Sequence, residues 1–171
     1  MTLKTEKLTL TAIFAALAIA LSTLESLVPI SAFIPIPGLR LGIANLAVMA
    51  AVFLLGKRAG FAVSLLKVSV VFLTFGNASS LVISSLGTAF ALLSLFFTKR
   101  AYGKHISFIG VSAVSAVLHA SGQVLGACLL TGSIASTAIL LPLGLCSMIT
   151  GCLCGFIMNC VYPTLRGRIK I

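Results

Sequence analysis

There is no aspartate in this chain of 171 residues, and glutamate occurs only at Glu6 and Glu25. Hard cations such as Mg2+ want several carboxylate oxygens, so this chain alone cannot build a metal–diphosphate site. It also has no GxxxxGK[ST] loop, the usual backbone cradle for nucleotide phosphates, so any use of ATP falls to a partner. No two cysteines stand in CxxC spacing. The five are Cys128, Cys146, Cys152, Cys154 and Cys160, four of them in one apolar stretch. Such thiols read as small hydrophobes, and neither a metal ligand set nor a cofactor is expected. Charged residues of both signs make up only 8% of the chain.

Most of what is present is hydrocarbon: 60% of the residues are hydrophobic and the mean hydropathy is +1.23. No soluble domain of this length needs so apolar a surface. The class is therefore an all-α membrane protein, a single integral membrane domain over residues 1–171. The net charge of +10 does not point to nucleic acid, because the basic residues sit in short clusters between apolar runs. The first apolar run lacks a small-residue cleavage site and further runs follow it, so a removable signal peptide is not expected.

A crossing of about 30 Å of hydrocarbon takes roughly 20 helical residues. On that measure the sequence predicts six spans, at about 8–28, 39–56, 59–76, 79–97, 106–128 and 139–162. With both termini cytoplasmic, ten of the twelve Lys and Arg residues lie inside, leaving only Arg40 and Lys67. An odd number of spans would put a basic cluster outside. Two outward loops carry content, Pro29–Arg40 and Thr131–Leu141, the second reading as a loop or short helix. Pro29, Pro35 and Pro37, followed by Gly38, cannot continue a helix, so they form a shaped entrance to span two. No internal repeat is visible, unlike the inverted-repeat secondary transporters.

Polar residues inside the spans are the candidate site. Lys67 lies about 12 Å from either face and needs a partner or a cavity. Glu25, one turn below the outer end of the first helix, is the only intramembrane carboxylate. The two form either a structural ion pair or, with Arg40, an outward-facing pocket in which cations outnumber the carboxylate and an anionic or electron-rich solute is favoured. His119 and Gln123 are four residues apart and share a helix face, with Ser112, Ser115 and Ser121 nearby. A histidine there is a solute contact, a proton relay, or a group hydrogen-bonded to a neighbouring helix. Asn45 and Asn77 add polarity on the outer half, while Asn159 reads as structural. Ala12, Ala16 and Ala20 form a small-residue ladder, suited to close packing within the chain or to docking a partner subunit.

A compact six-span chain with this ladder, a Pro-rich first outward loop and the stretch PIPGLRLGIANL resembles the substrate-binding S subunits of energy-coupling-factor transporters. More narrowly it resembles the Gx transporter family, also called heptaprenyl diphosphate synthase component I. The resemblance implies a vitamin-like or cofactor-precursor solute bound from the outside. It also implies a transmembrane coupling subunit, two ATPases and a place in the bacterial cytoplasmic membrane. Ala12, Ala16 and Ala20 would then be the coupling face, and Arg40, Asn77, His119 and Gln123 solute contacts. No motif identifies a riboflavin, thiamine or biotin binder. The sequence expectation is thus a non-enzymatic capture subunit. A proton-linked carrier using His119, Lys67 and Glu25, and a non-catalytic subunit of an isoprenoid, quinone or redox complex, are the competitors.

Overall fold

The computed structural model of the chain describes residues 3–27, 39–75 and 78–169. They form six α-helices: α1 (Leu3–Leu27), α2 (Asn45–Leu55), α3 (Lys57–Phe75), α4 (Ala78–Ala101), α5 (Phe108–Thr131) and α6 (Leu140–Arg168). A 3-10 turn over Ile134–Ile139 leads into α6, inside the second expected loop. Helices α1, α4, α5 and α6 are each long and apolar enough to cross a bilayer.

The second span differs from its expected form. The sequence predicts helix from residue 39, yet residues 39–44 are irregular or turning and α2 begins only at Asn45. At 11 residues, α2 is about 16 Å long and does not cross a bilayer by itself. Gly56 ends it in a conformation that only glycine adopts freely, with φ 103° and ψ 174°. The chain then turns into α3 at once, so Lys57 and Arg58 open α3 and are not a loop between spans.

Why α2 stays short is clear from its place. It touches all five other helices, and every residue in it except Leu46 and Leu54 is buried. A helix that is apolar around its whole circumference belongs inside a bundle. The core around it includes Phe14 and Ala18 of α1, Val63 of α3, Leu95 of α4 and Met158 of α6. Helices α4, α5 and α6 meet through glycine. A Cβ on Gly122 would stand 2.6 Å from the Leu86 carbonyl oxygen, and one on Gly155 2.5 Å from Ile109 Cα. Hydrocarbon gives helices no hydrophobic reason to associate, so such close backbone approach supplies the attraction.

One end of the bundle gathers the basic clusters and most of its aromatic contacts. Phe108 packs against Tyr102, Tyr162 and Phe53 with ring centroids 4.1, 4.7 and 5.0 Å away. Lys99 donates to the carbonyl oxygen of Val52 at 2.6 Å and so caps the C-terminus of α2. Lys57 stands over Phe96, and Arg166 over Tyr162. These contacts bring the α2, α4 and α6 C-termini to the same end as the α3 and α5 N-termini.

Candidate functional site

The unwound segment 39–44 lies towards the other end. Backbone groups freed from a helix inside a membrane bundle need partners from elsewhere in the protein. The Arg40 N–H donates to Gln123 Oε1 at 2.7 Å, and Gln123 Nε2 donates back to the Arg40 carbonyl at 2.8 Å. The Ile43 N–H donates to a Glu25 carboxylate oxygen, which also faces the Ala44 N–H. Thr150 Oγ1 on α6 reaches the Leu41 carbonyl at 3.2 Å. Three helices thus hold one non-helical piece by its main chain. The turn at Gly42, with φ 87°, then lets Asn45 N–H bond to the Gly42 carbonyl and start α2.

Gln123 and Glu25 are therefore committed largely to backbone. That role was not visible in their spacing, and Thr150 was missed altogether. Its only sequence signal is a hydroxyl, three residues after Ser147, in a long apolar helix.

The remaining polar side chains converge on the same place. Lys67 is buried in α3 and donates from Nζ to Asn45 Oδ1 at 3.1 Å. Among the described residues no hydrogen bond or ion pair joins Lys67 to Glu25, so their charges act on one another only through space. The ammonium fixes the Asn45 amide: its oxygen faces Lys67, and Nδ2, turned away, is sealed with no partner among the described residues. His119 is buried between two glycines. A Cβ on Gly42 would lie 3.2 Å from its Cδ2, and one on Gly87 2.9 Å from its Cε1. Gly87 equally makes room for Gln123, whose Cγ would be 2.8 Å from that Cβ. His119 Nδ1 makes no hydrogen bond of normal geometry among the described residues, and the hydroxyls of Ser84, Thr88 and Ser147 are likewise sealed without partners there. None of these three hydroxyls stood out in the sequence.

Arg40 is 7% exposed. Its backbone is held by Gln123, but no described residue hydrogen-bonds or pairs with its guanidinium. Its charge nonetheless acts on Glu25, Lys67 and His119.

Other expected residues fall elsewhere. Asn77 and the prolines at 29, 35 and 37 lie outside the described residues. Ser115 donates to the Ala91 carbonyl and Ser121 to its own helix, so both have structural bonds. Asn159 is exposed. On α1, Phe14, Ala15, Ala18, Ser22 and Glu25 face inward while Ala12, Ala16 and Ala20 are exposed. Two surface grooves flank α5, one lined by Leu93, Phe97 and Leu118, the other by Ile109, Met148 and Leu153; neither includes a residue of the polar cluster.

A bundle of apolar helices with a buried hub helix and a polar interior at one end defines a polytopic integral membrane protein. The chain belongs to the Gx transporter family, also described as heptaprenyl diphosphate synthase component I, whose sequence model matches residues 14–161. That match includes every residue of the polar cluster. Among curated proteins and solved structures, none matches the chain. The synthase in the family's description finds no carboxylate pair here. Glu6 is exposed in the first turn of α1, and Glu25 lies about 28 Å further along the same helix.

Proposed function

We propose that this protein is a substrate-binding membrane subunit that captures a small vitamin-like or cofactor-precursor solute from the outer face. On this reading the chain crosses the bacterial cytoplasmic membrane six times with both termini inside, the second crossing made by α2 together with the unwound residues 39–44, and uptake is driven by a transmembrane coupling subunit and ATPase subunits. The chain itself catalyses nothing. The observation that carries the reading is the polar cluster around residues 39–44, buried in an otherwise hydrocarbon bundle and set away from the basic end. Basic residues favour the cytoplasmic side, so the opposite end faces outward. Polar groups at such depth are costly and are kept for a solute path or site. The outward-turned Ala12, Ala16 and Ala20 give a coupling subunit a smooth surface for close approach.

Co-reconstitution tests this. Solute uptake in proteoliposomes should require ATP and the partner subunits, and Ala16→Leu should lower it at least tenfold without altering solute binding. A proton-linked carrier using His119, Lys67 and Glu25 is the competing reading, favoured by His119 being sealed beside the Lys67 and Arg40 charges. Uptake by the purified protein alone, driven by a pH gradient, would establish the carrier and refute the subunit.

A further inference from the structure

We propose that the captured solute carries a small oxyanion, a carboxylate or a phosphate, received by the Arg40 guanidinium with Lys67 and Asn45 Nδ2 beside it. This rests on the capture reading and names the chemistry of its solute.

The formal charges in the cluster come first. Arg40 and Lys67 are cations and Glu25 is the only carboxylate, so the interior carries one positive charge in excess. An uncompensated charge in a membrane bundle is costly and calls for a partner. Among the described residues Glu25 makes no contact ion pair with either cation; its carboxylate accepts from the Ile43 and Ala44 backbone instead.

The hydrogen-bonding capacity left unused among the described residues is donor-rich in the same way. Arginine's guanidinium has five N–H donors and no acceptor. Arg40 is buried, and no described residue pairs with that group. Asn45 Nδ2 is a pure donor left without a partner because Lys67 claims the amide oxygen. The Ser84 and Thr88 hydroxyls of α4 are also sealed and unmatched among the described residues, and a hydroxyl can donate to an incoming oxygen.

Position completes the case. Gln123 grips Arg40 by both its N–H and its carbonyl, so the side chain starts from a fixed main chain. A guanidinium fork carried on that main chain suits bidentate binding of a planar carboxylate or of two phosphate oxygens. A neutral or cationic solute would leave the excess charge and the donors unmet.

The experiment uses the full chain in phosphatidylcholine nanodiscs at matched ionic strength, with sodium benzoate, benzamide and inorganic phosphate as probes. Benzoate or phosphate should raise the thermal unfolding midpoint, and benzamide should not. Arg40→Gln should weaken that oxyanion's binding at least tenfold while the midpoint without probe stays level or rises. Arg40→Lys, which keeps the charge but loses the fork, should bind with intermediate affinity and serves if the glutamine variant does not fold. Equal stabilisation by benzamide, unaltered oxyanion binding in Arg40→Gln, or no response to either oxyanion would overturn the inference. Discs containing phosphatidylglycerol separate the sources. If that lipid raises the midpoint and blocks the probes, the oxyanion is a lipid headgroup and the solute assignment is overturned. Native mass spectrometry of gently extracted protein distinguishes the two levels of the argument: a retained neutral or cationic solute leaves capture standing and removes the oxyanion.

Discussion

At the basic end of the bundle, Lys99 bonds to the Val52 carbonyl and stands over the Phe53 ring, while Arg166 lies over Tyr162. At the polar end, Arg40 is more deeply buried than either, yet its guanidinium has no partner among the described residues. The first arrangement satisfies its cations with carbonyls and ring faces from the same chain. The second fixes the backbone with Gln123, Glu25 and Thr150 and leaves donors over. Groups satisfied internally stabilise the fold. Groups positioned but unsatisfied cost stability, and such a cost is tolerated where something else is to be bound.

Three substitutions would break or sharpen that contrast. Phe108→Ala, at the centre of the aromatic end, should have the largest effect. A buried ring touching three others leaves a cavity, and thermal unfolding in nanodiscs should show a loss of about 3 kcal/mol. An unchanged midpoint would mean that this end does not lock the bundle. Gln123→Leu should rank second, because it strands the Arg40 N–H and carbonyl together, at a cost of about 2 kcal/mol. It should also loosen the main chain of segment 39–44, read as faster amide hydrogen exchange at Arg40 and Leu41 than in the wild type. Exchange unchanged at both would show that Gln123 is not the staple. Lys99→Met should have the smallest effect, about 1 kcal/mol, since it removes one capping bond near water and keeps most of the stem's packing. A loss larger than that for Gln123→Leu would invert the contrast between the ends.

Much of the helix pattern could be read from composition. Long apolar runs and basic clusters gave six helices, with the 3-10 turn of Ile134–Ile139 inside an expected loop. Those signals are local, because hydropathy and charge act through each segment's own contact with lipid or water. The start of α2 was misplaced for the same reason. Leu39, Leu41 and Ile43 are as apolar as any helix, and nothing nearby says that their backbone bonds are made by side chains from elsewhere. Burial separated the two faces of α1 in a way that the alanine spacing alone left open.

The candidate site divides similarly. Glu25, Arg40, Lys67, His119 and Gln123 stood out because ionised or strongly polar groups are rare in hydrocarbon. Their tasks did not. Gln123 answers Arg40 across 83 positions and Thr150 answers Leu41 across 109. Gly87 matters only because His119 and Gln123 of another helix occupy the space where its Cβ would be.

The sequence by itself determined that this chain lives in a membrane, where its basic ends lie along the chain, and which few polar groups are buried at a cost. Only the tertiary structure decided which of those groups hold the backbone and which are left with donors to offer. The reason is that hydropathy is summed over neighbours in sequence, whereas a hydrogen bond between α5 and an unwound segment depends on a geometry that exists only once the helices have packed.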